Sequence, residues 1–196
     1  VDPLDGTKEF VKRNGEFTVN IALVEDGYPV FGMIYAPVLD VLYYGDSRGA
    51  YKAERQGAAI PLRVRGEASG AAAGGTAGAA DRGADAGAED AVVLVESRSH
   101  PSPETAAYAA GLHPRKVRRI ERGSSLKLCA VAEGAAHVYP RFGPTMEWDT
   151  AAGQAIVEAA GGVVLSPDGE RLRCNTERLV NGSFIAACSK EFAVLR

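Results

Sequence analysis

Phe17-Thr18-Val19-Asn20-Ile21-Ala22-Leu23-Val24, then Glu25-Asp26-Gly27, then Pro29-Val30-Phe31-Gly32-Met33-Ile34-Tyr35, is the stretch that decides the fold. Two runs rich in β-branched and aromatic residues flank an Asp-Gly pair, which accepts the positive φ of a tight hairpin turn, so they read as antiparallel strands. Downstream of the Ala36-Pro37 break, Asp40-Val41-Leu42-Tyr43-Tyr44-Gly45 and Gly49-Ala50-Tyr51-Lys52 continue the theme. Residues 1–65 are therefore expected to form an antiparallel sheet subdomain.

From about Gly66 to Asp90 the composition falls largely to Ala, Gly, Asp and Glu with no large apolar residue. Such a segment buries too little surface to offset chain entropy, and a disordered insertion is expected over 66–90. Strand and helix alternate after it. Ala91 to Val95 reads as a buried strand, Pro103 to Ala110 as a helix with Pro in its first turn, and Val117 to Ile120 as a strand. Ser124 to Glu133 reads as a helix, Ala136 to Tyr139 as a strand, and Thr150 to Ala160 as a helix closed by Gly161-Gly162. Residues 91–196 are thus expected to form a second, α/β subdomain, and the fold class is α/β in layers.

The chain has 196 residues, a net charge of −3 and 46% hydrophobic residues, ordinary for a globular protein. That charge argues against a nucleic-acid polymer or a general anionic membrane as partner. The run Arg115-Lys116-Val117-Arg118-Arg119 alternates with apolar residues and reads as the solvated side of a strand. Cys129, Cys174 and Cys188 are odd in number and widely spaced, which suggests buried reduced thiols rather than a zinc site or disulfide framework. No membrane span or signal peptide is visible. The chain begins with Val and its first motif starts at residue 2, so it is expected to be a piece of a longer protein.

That first motif is Asp2-Pro3-Leu4-Asp5-Gly6-Thr7, answered far downstream by Trp148-Asp149-Thr150-Ala151-Ala152-Gly153. Asp2 and Asp5 are hard oxygen ligands, and Gly6 and Thr7 add backbone N–H groups and a hydroxyl, the chemistry that holds Mg²⁺ and a phosphate. Asp-Pro-x-Asp-Gly is also a common turn, and Asp149 alone reads as an N-cap of the helix near Thr150, so each motif leaves a structural reading open. The pair favours a metal site, because carboxylates from two segments can hold ions that bridge a phosphate and an attacking water.

Both motifs resemble those of the inositol monophosphatase superfamily of Mg²⁺-dependent phosphatases. Within it, Lys8-Glu9-Phe10, Arg13-Asn14-Gly15-Glu16-Phe17-Thr18-Val19-Asn20, Gly123-Ser124-Ser125-Leu126-Lys127 and Tyr139-Pro140-Arg141-Phe142 resemble the CysQ-type 3′(2′),5′-bisphosphate nucleotidases. The resemblance implies a layered sandwich of the sugar-phosphatase type. It implies metal ligation by Asp2, the Leu4 carbonyl, Asp5 and Asp149, and water activation by Thr7 beside Asp5. The substrate would be held by Leu4, Asp5, Gly6, Thr7, Ser124, Lys127, Arg141 and Asp149, with His100 against the adenosine. Alone, Ser124 reads as a helix start and His100 as a surface loop residue, whereas Arg141 in its apolar setting calls for an anion partner. His113 and His137 carry no expected role.

The implied reaction is Mg²⁺-dependent removal of the 3′-phosphate from adenosine 3′,5′-bisphosphate, clearing a by-product of sulfate assimilation. The rival readings are an enzyme for inositol phosphate or a sugar bisphosphate, and an inactive truncated remnant. The resemblance also implies lithium inhibition and a cytoplasmic protein, with peripheral attachment to the cytoplasmic side of the inner membrane left open. The family draws a further Glu ligand and an acidic water activator from a segment before the first motif, together with helices over one sheet face. Neither has a counterpart upstream of Asp2, so exposed apolar surface on that face is expected.

Overall fold

The computed structural model describes residues 1–55, 57–66, 91–98, 102–112 and 115–194. The first part forms β1 (Asp2–Asp5), a short helix α1 (Thr7–Val11), β2 (Thr18–Glu25), β3 (Tyr28–Ala36), β4 (Val41–Asp46), β5 (Gly49–Glu54) and β6 (Ile60–Leu62). The six strands hydrogen-bond in sequence order as one antiparallel sheet. The β2–β3 turn places Asp26 and Gly27 at φ 52° and 82°, the doubly left-handed turn that the Asp-Gly pair predicts.

Alternation along these strands sorts the side chains. Thr18, Asn20, Ile34, Ala36, Tyr43, Ala50 and Lys52 are buried on one face. The other face sets Val19, Ile21 and Leu23 beside Tyr35, Met33 and Phe31, with Leu42 and Tyr44 next in register, all only partly buried or exposed.

The second part supplies β7 (Val92–Ser97), α2 (Pro103–Gly111), β8 (Val117–Arg122), α3 (Leu126–Ala132), β9 (Val138–Arg141), β10 (Thr145–Met146) and α4 (Glu147–Ala159). β11 (Val163–Leu165), β12 (Val180–Asn181), β13 (Phe184–Ala187) and α5 (Lys190–Ala193) complete it. The second sheet has the order β11-β13-β9-β7-β8, parallel where β7 meets β8 and β9 and antiparallel at β13. β10 and β12 form a small ribbon of their own.

α3 and α4 lie between the sheets. α4 packs on β2, β3 and β4, and it touches α3 along its length. The approach is close enough to require glycine: a Cβ on Gly32 of β3 would sit 2.2 Å from the Ala152 carbonyl oxygen, and one on Gly153 would sit 2.3 Å from the Leu128 side chain. The core is shared by both parts, with Ile34 and Tyr43 from the first sheet, Val95 and Phe184 from the second, and Leu128, Val131 and Ile156 between. Each such side chain contributes about 1.5–3 kcal/mol by leaving water. A second cluster, including Leu94, Ile185, Tyr108 and Phe192, lies under α2 and α5.

Several expectations shift in detail. Asp2 to Asp5 is an edge strand rather than a turn, despite its Pro and Asp content. α3 starts at Leu126, because Ser124 adopts φ 51° and leaves the helix. α4 starts one turn before Thr150, so Asp149 is its third residue and caps from inside: its Oδ2 accepts the Met146 N–H at 2.9 Å. β9 runs on through Pro140 to carry Arg141. Of the basic run, Arg115 and Lys116 precede the edge strand β8 and Arg118 and Arg119 lie on it; all four are exposed, though not along a single side of a strand. All three cysteines are buried, and none forms a disulfide. The disorder expected over 66–90 falls, apart from Gly66, outside the described residues, as do His100 and His113. Among the described residues no helix is long and apolar enough to cross a membrane.

Candidate metal and phosphate site

β1 pairs with β2 so that Asp2 faces Asn20 and Asp5 faces Thr18, three steps on one strand against two on the other. Side chains three apart on a regular strand point to opposite faces, so this bulge is what sends both carboxylates to one side. Gly6 then turns the chain into α1 at φ 85°, and a Cβ there would lie 3.0 Å from the Ser124 Cβ. Positive φ and the lack of room both call for glycine. From across the molecule the first turn of α4 brings Asp149. One carboxylate oxygen from each of Asp2, Asp5 and Asp149 lies within 4.8 Å of the other two.

Three like charges at that spacing repel by about 1–3 kcal/mol per pair, depending on the local dielectric. The strain registers on Asp149, whose pKa burial pushes up to about 6, against the Met146 N–H and with help from the charges of Asp5 and Asp2. Asp5 is held differently. Its Oδ2 accepts from the Ser124 hydroxyl, the Ser125 N–H (2.7 Å) and the Ser125 hydroxyl (2.6 Å), with Thr18 and Asn20 at 3.4 and 3.5 Å. Asn20 Nδ2 donates to Ser125 Oγ at 2.8 Å, and Ser125 Oγ also lies 3.0 Å from the Asp149 carbonyl. The Leu4 N–H donates to Asp2 Oδ1 at 3.0 Å. Carboxylate donors with carbonyls nearby are hard ligands that suit a hard divalent cation such as Mg²⁺, Ca²⁺ or Mn²⁺ rather than softer metals.

The carboxylates open onto a cleft of about 250 Å³ lined by Asp5, Gly6, Thr7, Ser124, Lys127, Arg141 and Asp149. A larger open groove, about 660 Å³, lies toward the C-terminal end of α4 and contains no comparable carboxylate cluster. In the cleft, Lys127 is buried, donates to the Ser124 carbonyl at 2.5 Å and lies 5.6 Å from the Tyr139 ring centroid. Burial pulls its pKa down to about 8; Asp5 and Glu9 oppose that shift, and Arg141 adds to it. Arg141 has a buried Nε without a hydrogen-bond partner, and its Nη2 makes only a 3.4 Å contact with the Pro144 carbonyl. An orphaned guanidinium nitrogen beside a buried ammonium is a polarity that an anion would satisfy.

Of the residues expected from sequence, Asp5, Gly6, Thr7, Ser124, Lys127, Arg141 and Asp149 line this cleft, Asp2 joins the carboxylate cluster, and Leu4 sits between the two β1 aspartates without lining the cleft. His100 lies outside the described residues. Sequence reasoning did not assign Thr18, Asn20 or Ser125, which anchor Asp5, nor Glu9, which also lines the cleft. The available signal was Thr18 and Asn20 at alternate positions of a strand, where the inward face should be apolar.

Comparison with known proteins agrees with this geometry. The model of the Inositol monophosphatase family matches residues 1–193. The chain is 45% identical over 190 residues to the 3′(2′),5′-bisphosphate nucleotidase CysQ of Buchnera aphidicola, covering 95% of this chain and 63% of that protein. It is 48% identical over 172 residues to the protein of the same name from Salmonella typhimurium, covering 88% and 60%. Among solved structures, CysQ from Bacteroides thetaiotaomicron superposes with a TM-score of 0.78 at 45% identity, over 95% of this chain and 68% of that one. The chain thus spans 60% to 63% of the length of those two nucleotidases. With two sheets around a helical layer, a carboxylate corner at their junction and a family match over nearly its whole length, the chain belongs to the inositol monophosphatase family.

Proposed function

We propose that this chain carries the catalytic corner of a Mg²⁺-dependent phosphatase that removes the 3′-phosphate of adenosine 3′,5′-bisphosphate, yielding AMP and phosphate. One observation carries the reading: the cluster of Asp2, Asp5 and Asp149 meets a cleft that Asp5 and Asp149 line at one end and two cations, Lys127 and Arg141, line beyond them. A monoester needs only the first group, whereas a bisphosphate uses both. The names of the most similar relatives above, bisphosphate nucleotidases, support the same choice.

In this reading Asp2, Asp5, Asp149 and the Leu4 carbonyl hold the metal. Bound Mg²⁺ would neutralise the phosphate and lower the pKa of an attacking water. Ser124 and Ser125 keep Asp5 aimed by occupying its Oδ2. Thr7, at the first position of α1, orients the water through its hydroxyl, and the Gly6 and Thr7 N–H groups hold the scissile phosphate in line. Lys127 and Arg141 take the second phosphate. Such an enzyme would act in the cytoplasm on a by-product of sulfate assimilation.

The test is phosphate release from adenosine 3′,5′-bisphosphate with Mg²⁺ and with a chelator, and from inositol 1-phosphate in parallel. For the protein at the full length of the nucleotidases it matches, release from the nucleotide alone, and only with Mg²⁺, is expected. Preference for inositol 1-phosphate would overturn the nucleotide assignment, and metal-independent release would overturn the mechanism.

A further inference from the structure

We propose that Glu16 is a positioning residue for the site, locking the Gly123–Ser125 turn in the one conformation that serves Asp5 and Lys127 together, with Arg98 holding Glu16 in place. The inference rests on the reading of Asp5 as a metal ligand. Glu16 precedes β2, Arg98 follows β7, and the turn joins β8 to α3, so three separate segments meet here.

Glu16 Oε2 accepts the Gly123 N–H at 2.7 Å. Arg98 grips the same carboxylate from outside, Nη1 to Oε2 at 3.1 Å and Nη2 to Oε1 at 3.3 Å, and its Nε reaches Glu121 at 3.6 Å. The Glu16 side chain is only 14% exposed. Its own N–H is fixed by Asn14 Oδ1 at 3.0 Å. Gly123 packs closely against this wall: a Cβ there would lie 2.6 Å from Glu9 Cγ and 3.0 Å from Glu16 Cβ.

What the wall holds in place is Ser124 at φ 51°, a left-handed conformation that is uncommon for a non-glycine residue and costs backbone strain. In that conformation its hydroxyl donates to Asp5 Oδ2, its carbonyl accepts from Lys127 Nζ, and the next N–H, of Ser125, donates to Asp5 as well. One strained residue therefore serves both ends of the cleft. Without the Glu16 acceptor, the Gly123 N–H is unpaired and Ser124 is free to relax, which releases Asp5 and Lys127 together. A charged pair placed behind a ligand in this way orients it without touching the metal.

The experiment compares the parent chain with Glu16→Ala, Glu16→Gln and Arg98→Met. Mg²⁺ binding is followed by the fluorescence of Trp148, the only tryptophan and the neighbour of Asp149, and the turn by amide hydrogen exchange at Ser125. Glu16→Ala is expected to raise the Mg²⁺ midpoint about 10-fold and to speed Ser125 exchange by a similar factor. Core amides of Val93 and Ile185 should keep their parent rates. Glu16→Gln retains an acceptor and should change the midpoint less than about threefold, with Arg98→Met in between. Ser125 exchange and Mg²⁺ midpoint both within about twofold of the parent in Glu16→Ala would overturn the proposal. So would core and Ser125 amides accelerating together, the mark of a merely structural residue. If the parent shows no Mg²⁺ response, the functional reading fails, and Ser125 exchange in Glu16→Ala still decides the positioning role.

Discussion

The two ends of α3 bury charge in opposite ways. At its C-terminal end, Lys52 Nζ sits between Glu54 at 2.8 Å and Glu133 at 3.1 Å, and the Tyr43 hydroxyl donates to the same Glu133 oxygen. Burial pulls the Lys52 ammonium down, but Glu133 and Glu54 outweigh it, and the net pKa rises. At the N-terminal end three aspartates share one point, none of them in a salt bridge with a Lys or Arg among the described residues, and burial pushes Asp149 toward its neutral form. Charge matched from within is architecture. Charge left unmatched waits for something from outside, and that asymmetry is the physical ground for placing the metal at one end and not the other.

The strongest way to break this comparison is Asp149→Asn, which keeps the shape and an oxygen for the Met146 N–H. Mg²⁺ affinity and phosphate release are expected to fall by more than about 100-fold, beyond the usual loss for a group merely supporting a ligand. Stability without metal should move the other way. The folded pKa of Asp149, about 6, lies above its unfolded value, so the ionised carboxylate costs stability at neutral pH and its removal returns it. A rise in melting temperature of about 2–4 °C is expected. A drop in melting temperature with Mg²⁺ affinity intact would mean that Asp149 is only a cap.

Lys52→Met is the counterpart at the other end. It leaves Glu133 and Glu54 without their cation and should cost about 2 kcal/mol in urea unfolding, below the full cost of breaking a buried pair because both carboxylates keep some solvent contact. The Mg²⁺ midpoint should stay within about twofold of the parent, since no Lys52 contact reaches the cluster. Replacing Glu133 by Gln in the same chain should recover part of the loss. If Lys52→Met weakened Mg²⁺ binding as Asp149→Asn does, the two ends would be one network and the contrast would fail.

Within the site itself, the division between metal end and cation end is sharpened by Lys127→Ala. It should lower kcat/KM about 10-fold more for the bisphosphate than for a simple monoester, the worth of one charged contact to a phosphate. Equal losses would remove the basis for a second phosphate subsite.

Much of this contrast was legible in the chain because its signals are local. Period-two alternation from Phe17 to Tyr35 and the Asp26-Gly27 turn specify the first sheet, and Asp2, Asp5 and Asp149 stand in two short motifs. What was not legible depends on partners distant in sequence. Asp2–Asp5 contains Pro and two Asp, poor strand formers, and is a strand only because β2 offers it an edge. Ser124 reads as a helix residue until its hydroxyl meets Asp5, 119 positions away. Gly123, which Glu16 holds, and Glu133, which Lys52 pairs with, lie 107 and 81 positions off, so neither pairing leaves a periodic trace. The elements after Gly162 are two to four residues long, too short for periodicity to announce.

The smallest expected effect tests the comparison on a third, partly buried group. His137 enters β9 with Nδ1 accepting the Val93 N–H at 2.8 Å, and its ring meets Phe192 edge-on. That nitrogen must stay unprotonated, and burial, followed by the charges of Arg65, Arg115 and Arg118, pulls the pKa down to about 4. The unfolded chain binds the proton more readily, so the contribution of His137 is complete above about pH 6.5 and is lost as pH falls toward 4. Its size is on the order of 1 kcal/mol, kept small by the partial exposure of the ring. Asp149 responds in the same window with the opposite sign, because protonation removes a charge that burial, and after it the charges of Asp5 and Asp2, disfavour. Urea midpoints taken at about pH 7 and pH 5 should therefore separate the two: acidification should stabilise His137→Asn relative to the parent trend and destabilise Asp149→Asn relative to it. Deviations of the same sign in both variants would mean that the fold does not disfavour the ionised Asp149 carboxylate, and the case for an external cation would lose its electrostatic footing.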